Sequence, residues 1–374
     1  MDKKKILIVG RTFFPEQSPR SFRTTELAIE LAKQGHEVHV LLPNNLKNKI
    51  EAGFDHSIGI QFIYYGPLEW KVLEKSKNKW IGDWKRKLGR LLFLLFEYPN
   101  IEIYFKLPST LKRMKGYDLM ISIAVPHENH WAIAKVRTKS NPIAKVWVAD
   151  CGDPFMSNVL ETIAPPFYFG FLERNFLKKC DFVSVPTEGS IDAYDVKFKD
   201  KFKVIPQGFN FDTVKIVEHK PQNEIPTFAY AGGVSVGGIR SLNLFIDVLI
   251  RQEKKFKFHI FSNNAETVLK EKIKGCENSI VIHKPLEREK LIYELSKMDF
   301  VVNLDNGTHL NTPSKLIDYG LANRPILNIN PLDPEKEIIM QFLSGDYSNQ
   351  RRIENLERYN IKQVANQFLY IDNA

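Results

Sequence analysis

A chain of 374 residues is longer than one hydrophobic core usually fills, so two domains of ordinary size are expected. With 43% hydrophobic and 26% charged residues the composition is that of a globular protein, which excludes extensive disorder. Three cysteines, Cys151, Cys180 and Cys276, are odd in number and widely spaced, which excludes a disulfide framework and points to a reducing compartment. The formal charge of +9 suits nucleic acid, an anionic membrane or a phosphorylated substrate, and composition does not choose among them.

The basic run Lys3–Lys5 precedes only four apolar residues, Ile6–Val9, too few for a signal-peptide core, so residues 5–10 read as a strand. Residues 19–33 place Leu27, Ala28, Leu31 and Ala32 on one helical face, Gly35 closes the helix, and 37–42 is a second strand. The loop of this βαβ unit, RTFFPEQSPRSFR, lacks G-x-G-x-x-G, which argues against a nicotinamide or flavin oxidoreductase. Gln17, Arg20 and Arg23 lie in or beside it; the arginines suit a phosphate, or simply a solvated helix start. Residues 69–108 are the least regular part, with Trp70, Trp80 and Trp84 among many lysines and arginines, followed by LLFLLF. That mixture fits an anionic membrane surface, a core helix with a basic flank, or a nucleic-acid patch with stacking aromatics; the membrane is the favoured partner and no nucleic acid is expected. No run approaches the roughly 18 apolar residues needed to span a bilayer.

Strands at 118–124 and 144–149 end in VPHENH and DCGDPF, which puts His127, His130, Asp150 and Asp153 at one sheet edge, the equipment for proton transfer or for positioning a hydroxyl. A histidine on a loop is otherwise structural or merely exposed. Metal binding is discounted, because the groups come from separate loops without ligand spacing. Further strands follow at 182–185 and 203–205. Residues 214–226 carry two prolines, mixed charge and no periodicity and read as an interdomain connection, with the boundary near 212.

A second α/β series then runs strand 228–231, helix 241–251, strand 256–261, helix 265–274, strand 280–283, helix 286–298 and strand 299–304, the alternation of a parallel sheet covered on both faces. The loop AGGVSVGGIR, with Gly232, Gly233 and Arg240, offers backbone N–H groups to a diphosphate, although glycine loops are also common turns. In NTPSKLIDYGLANRPIL, Thr312 has N-cap chemistry, Pro313 suits the first helical position, and Ser314 and Lys315 continue the turn. Asn323 and Pro325 stop the helix before a strand at 326–329. Its start falls just past a strand's C-terminal end, where the helix dipole and Lys315 favour a phosphate. Asp318, three residues on, either accepts from sugar hydroxyls or forms a surface ion pair with Lys315. Residues 356–368 form an amphipathic last helix.

FFPEQSPRSFRTTELAIELAKQGHEVHVL near the start and PSKLIDYGLANRPIL near the end resemble, in that order, two segments of the GT-B glycosyltransferases related to family 4. The resemblance implies an α/β protein of two Rossmann-like domains with parallel sheets facing a central cleft. An acceptor-side domain would span 1–211 and a nucleotide-sugar domain 212–354, with the last helix, in 355–374, packing back on the first. It implies a donor diphosphate held by Thr312, Ser314, Lys315, Gly232, Gly233 and Arg240, its ribose by Asp318, and its base against His283 and Pro285. It implies acceptor contacts from Gln17, Arg20, Arg23 and Asp150, and chemistry by His127, His130, Asp153 and Asp318. No metal and no cofactor are expected beyond the nucleotide-diphosphate sugar, with UDP favoured. Transfer with retention to a lipid-linked or oligosaccharide acceptor, in the cytoplasm at the inner face of the membrane, is the implied activity, in bacterial polysaccharide or glycan assembly. The chain departs from the pattern in having Asp318 for Glu, Leu310 for a second acid, and Gly233 and Gly237 where relatives carry Arg and Lys. Two rivals follow: an epimerase of UDP-N-acetylglucosamine with the same donor site, and a non-catalytic, membrane-associated scaffold whose site has decayed.

Overall fold

The apolar runs of the first half of the chain pair as one parallel sheet in the computed structural model, which describes residues 2–73, 79–157, 164–219, 221–252, 254–305 and 314–373. Its strands are β1 (Lys5–Val9), β2 (Glu37–Leu42), β3 (Gln61–Tyr64), β4 (Tyr117–Ala124), β5 (Ala144–Cys151), β6 (Phe182–Val185) and β7 (Phe202–Val204), in the order β3-β2-β1-β4-β5-β6-β7. Every pair is parallel; Ile6, for example, lies opposite Val38 on one side and Leu119 on the other. Strands this uniformly apolar must be covered on both faces, which is why helices alternate with them. The helices are α1 (Pro19–Lys33), α2 (Lys47–Gly53), α3 (Lys79–Phe96), α4 (Glu102–Leu111), α5 (Glu128–Val136) and α6 (Phe169–Lys179). On α1 the Ser18 hydroxyl accepts from Ser21 N–H, Pro19 occupies the first turn, and Gly35, at φ +89°, lets the chain leave the helix. The strand order reverses between β1 and β4, so the switch point of this sheet lies beyond their C-terminal ends.

Residues 69–108, expected to be irregular, contain two helices. Glu102, buried at the start of α4, ties the preceding segment down by accepting from the backbone N–H groups of Glu69 and Trp70, and Lys106 neutralises it at 2.8 Å. α3 is unusual: among its described side chains none is buried. The alternative of a core helix is thereby removed. Among the described residues no helix is long and apolar enough to cross a membrane.

The chain forms two compact units, Met1–Phe209 with Asn360–Ala374, and Asn210–Tyr359. The second unit holds β8 (Thr227–Ala231), β9 (Lys257–Phe261), β10 (Ile280–His283), β11 (Phe300–Leu304) and β12 (Ile326–Ile329), all parallel, in the order β10-β9-β8-β11-β12. The ring of Phe228 stacks on Phe258 at 4.9 Å and on Phe300 at 4.5 Å, a row of aromatic rings across three neighbouring strands. Its helices are α7 (Asn243–Ile250), α8 (Ala265–Leu269), α9 (Arg288–Ser296), α10 (Ser314–Leu321) and α11 (Lys336–Leu343). α8 stops well short of the expected 274, because its buried apolar positions end at Leu269 and Lys270, Glu271 and Lys272 follow. α10 is followed by Asn323 at φ +53°, the left-handed residue that ends it before β12. Thr312 and Pro313 lie outside the described residues.

The last helix also differs from its expected span. Residues Leu356–Tyr359 make a 3₁₀ turn, and Asn360 then caps a new helix, α12 (Ile361–Leu369), by accepting from Lys362 N–H at 3.2 Å. α12 belongs to the first unit, where Ile361, Val364, Phe368 and Leu369 join Ile6, Ile8 and Leu27 in one core. Ile361 N–H donates to the Phe209 carbonyl at 2.8 Å. Gly208 lies flush against this helix, since a Cβ there would sit 2.6 Å from Ile361 Cδ1 and 3.2 Å from Val364 Cβ. Gly208→Ala is therefore expected to destabilise the first unit by about 1–3 kcal/mol through overpacking, read as a lower midpoint in urea with an unchanged slope.

Candidate functional site

The second sheet reverses its order between β8 and β11, and the residues beyond those strand ends define a site. β8 runs into Gly232, whose φ of +147° few L residues adopt. A Cβ on Gly232 would lie 1.8 Å from Lys315 Nζ, so the bare backbone is what lets the amine of α10 reach the loop. Lys315 Nζ sits 4.9 Å from the centre of the Tyr230 ring and donates to its hydroxyl at 3.2 Å, while that hydroxyl donates to the Gly233 carbonyl at 2.9 Å. No carboxylate pairs with Lys315 among the described residues. Burial, then the nearby charge of Arg240, lowers the lysine pKa to about 8. Arg240 ends a short 3₁₀ turn and is exposed. A half-sequestered cation without a counter-charge among the described residues, at a switch point, has the chemistry to take an anion.

Asp318 does not pair with Lys315, which corrects the surface ion-pair alternative. The two side chains diverge: Lys315 turns to β8, and Asp318 meets Arg288 of α9, Oδ1 to Nε 2.6 Å. Burial raises the Asp318 pKa, against the opposing pull of Arg288. Any ribose hydroxyl reaching Asp318 finds a carboxylate already engaged. His283, at the end of β10, stacks on Phe261 at 4.7 Å and on His259 at 5.1 Å, with a 2.8 Å hydrogen bond between the imidazoles. Pro285 is exposed just beyond. Thr312 and the side chain of Ser314 lie outside the described residues.

In the first unit the expected residues separate into a sealed group and an open one. Arg23 and Asp150 are buried, Arg23 only 2% exposed, and bind each other: Nε to Oδ2 at 3.1 Å and Nη2 to Oδ1 at 2.9 Å. Arg23 also donates to the Pro206 carbonyl, and Ser184 Oγ donates to Asp150 at 2.7 Å. With their hydrogen bonds taken up inside the core, these two are a structural clamp between α1 and β5, a correction to the expected acceptor contacts. His130, 0% exposed, is likewise interior: Nδ1 lies 2.8 Å from Ser122 Oγ and Nε2 3.5 Å from Cys151 Sγ. It has no exposed edge to offer a substrate, so a catalytic role is set aside.

His127 stands at the start of α5, its Nε2–H donating to the Asp153 carbonyl at 3.1 Å; burial lowers its pKa to about 4, which keeps the ring neutral. Asp153 is partly exposed, Gln17 exposed, and Arg20 partly exposed with its guanidinium laid over Gly152, where a Cβ would lie 2.0 Å from it. Asp153, Gln17 and Arg20 stay near or at the surface of the unit, whereas His127, 4% exposed, is buried. Sequence reasoning missed Tyr230, Arg288 and Glu128. Glu128, in the same VPHENH run, is 1% exposed, and burial, followed by the charge of Glu97, raises its pKa to about 8, so it carries its proton at neutral pH. The signal for Tyr230 was its place at the end of a strand before glycines; Arg288 is thirty residues from its partner and gives none.

No protein-family model matches the chain, and no curated protein matches it in sequence. Solved structures do. The apo form of a lipopolysaccharide outer core galactosyltransferase, WaaB, is similar with a TM-score of 0.59 at 12% identity, covering 98% of this chain and 99% of that one. Anabaena Alr3699/HepE, in complex with UDP and glucose, gives 0.56 at 14% identity, covering 99% of both. A UDP-N-acetylglucosamine 2-epimerase gives 0.52 at 11% identity, covering 99% of this chain and 95% of that one. At such identities the likeness is one of architecture, and with two all-parallel Rossmann-type sheets it establishes the GT-B fold.

Proposed function

We propose that this protein is a glycosyltransferase that moves a sugar from a nucleotide-diphosphate donor, a UDP-sugar foremost, to a hydroxyl of a glycan acceptor. The observation that carries the reading is Lys315, a largely buried cation with no carboxylate partner among the described residues, held at the switch point of the second sheet by the absence of a side chain on Gly232. It would meet the diphosphate together with Arg240 and the first turn of α10, and stabilise the charge that develops as the diphosphate leaves. His283 and Phe261 offer a flat aromatic wall for the base. Acceptor contacts fall to Gln17 and Arg20 of the first unit, which stay at or near its surface. Retention of configuration and a place in bacterial polysaccharide or glycan assembly rest on the resemblance of residues 13–41 and 313–327 to family 4 enzymes. The galactosyltransferase and the UDP- and glucose-bound protein that share the fold support the donor class.

A lipid-linked acceptor at the inner face of the cytoplasmic membrane is part of the proposal, supported by α3. Trp80, 88% exposed, with Trp84, Leu91 and Phe96, gives the helix an exposed apolar set beside Lys85, Arg86, Lys87 and Arg90. Phe167 and Phe171, at and just before α6, extend it, and the Tyr168 hydroxyl bonds to the Leu95 carbonyl at the end of α3. Rings at headgroup depth and cations on anionic lipid are the expected mode. Replacing Trp80 and Trp84 together by alanine should weaken binding to phosphatidylglycerol-containing vesicles by about a hundredfold or more, each buried aromatic ring contributing on the order of 1.5–3 kcal/mol. Equal sedimentation of variant and wild type with vesicles would reject the surface.

The donor test is a panel of UDP-, GDP- and dTDP-sugars scored by thermal shift and by release of free nucleotide. One diphosphate class is expected to raise the melting temperature with the logarithm of its concentration; no shift with any nucleotide rejects the proposal. The epimerase reading is kept because a UDP-N-acetylglucosamine 2-epimerase is similar in fold over 99% of this chain. It predicts conversion of UDP-N-acetylglucosamine with no acceptor present, followed by proton NMR.

A further inference from the structure

Arg20 belongs to the acceptor side already considered, but a group of buried side chains behind it does not enter that chemistry. His127 and His130 stand one helical turn apart at the start of α5, and the register of the sheet, with Ala124 opposite Cys151, brings the thiol of β5 up to them. One ligand atom from each of His127, His130 and Cys151 lies within 4.8 Å of the other two, and all three residues are buried. We propose that these three residues form a binding site for a borderline-soft divalent cation of the zinc type.

The hydrogen bonds leave the required atoms available. His127 commits Nε2–H to the Asp153 carbonyl, so Nδ1 carries the lone pair, and Nδ1 is buried with no hydrogen-bond partner among the described residues. Ser122 Oγ accepts from Trp147 Nε1–H at 2.8 Å and lies 2.8 Å from His130 Nδ1. With His130 Nδ1–H also donating to that hydroxyl, Nε2 turns its lone pair toward Cys151 Sγ, 3.5 Å away. A carbonyl behind one imidazole and a hydroxyl behind the other are the second partners that fix the tautomer of metal-bound histidines. Two imidazoles and a thiolate select zinc-type ions over magnesium or calcium. Binding is balanced by one proton: the Cys151 S–H is lost as the sulfur–metal bond forms. Ligand separations up to 4.8 Å exceed the ~3.3–3.8 Å edges of a tetrahedral site with bonds of ~2.0–2.3 Å, so the three groups close in by about 1 Å. Because the cluster is sealed from solvent, the ion would pin β4, α5 and β5 together rather than meet a substrate. The sequence reading discounted a metal for want of ligand spacing; folding supplies the third ligand from another strand.

The test uses the full chain, stripped with a chelator and titrated with Co²⁺ and then Zn²⁺. One Co²⁺ per chain is expected, with thiolate-to-cobalt charge-transfer absorption that Zn²⁺ bleaches, and a melting temperature that climbs with free Zn²⁺. The Cys180→Ser/Cys276→Ser double variant, in which Cys151 is the remaining thiol, should keep the spectrum, whereas Cys151→Ser and His130→Gln should lose it. Absence of the charge-transfer band in both wild type and the double variant overturns the proposal, as does its persistence in Cys151→Ser. If Cys151→Ser does not fold, the double variant alone decides. Because the readout is metal binding and not transfer, its failure leaves the donor site of the second unit untouched.

Discussion

Lys315→Met is expected to weaken UDP-sugar binding by about tenfold to a hundredfold, the loss of a charge-assisted hydrogen bond, and to lower transfer by about 10²–10³ through lost stabilisation of the leaving diphosphate. Stability should hold or rise, because an amine with no counter-charge among the described residues is replaced by an apolar chain of similar length. The pH dependence follows from the direction of the lysine shift. Its folded pKa, about 8, lies below the ordinary 10.5, so between those values the unfolded chain binds the extra proton. The cost of burying this group is therefore full below about pH 8 and fades as pH rises toward 10.5. Diphosphate favours the ammonium form, so wild-type affinity should be flat below about pH 8 and fall above it, by up to tenfold per unit. Calorimetric titration with UDP across that range checks both statements. A flat profile in wild type, or the same decline in Lys315→Met, would remove Lys315 from the site.

The second large effect is on stability. Arg23→Ala should cost about 3–5 kcal/mol, because it strands Asp150 as a buried carboxylate without its counter-charge. Burial by itself raises the Asp150 pKa, yet the charge and hydrogen bonds of Arg23, with Arg20 and Ser184 adding to them, bring it below the usual value. A depressed carboxylate adds stability above its unfolded pKa and loses it as pH falls through the folded one. The penalty of Arg23→Ala should accordingly be larger at pH 7 than at pH 4, where the stranded acid takes a proton. Arg23→Met combined with Asp150→Leu should recover a large part of the loss, since an apolar pair does not carry the desolvation of two charges. Urea denaturation of wild type and the two variants at both pH values measures this; Arg23→Ala within about 1 kcal/mol of wild type, the range of an exposed pair, would contradict the buried clamp.

The sheets were legible, apart from the less buried edge strand β3, because parallel strands buried on both faces are continuous apolar runs: YDLMISIA and FVVNL need no partner to be recognised. Ligand loops of an open parallel sheet lie past the C-terminal ends of its strands, which is why candidate loops were expected after β4, β5, β8 and β11. Side-chain pairing was not legible. Arg23 lies 127 residues from Asp150, and Asp318 lies thirty from Arg288, so local spacing read the arginine as an open phosphate ligand and the aspartate as a neighbour of Lys315. Burial was equally hidden, since His127 and His130 look alike in VPHENH while the hydrogen bonds that enclose His130 come from two other strand positions, Ser122 and Cys151. The split of residues 356–368 was readable in retrospect from Asn360, a good N-cap set inside an apolar periodicity that masked it.

The return of α12 has a consequence for the order in which the molecule is made. The core that Ile6, Leu27 and Val38 begin is closed by Ile361, Val364 and Phe368, which leave the ribosome more than three hundred residues later. The unit Asn210–Tyr359 is continuous in the chain and has every strand of its sheet before those residues appear. Synthesis from the N-terminus thus finishes the second unit first, and the half of the protein translated earliest waits longest, with part of its apolar floor uncovered, for its last helix.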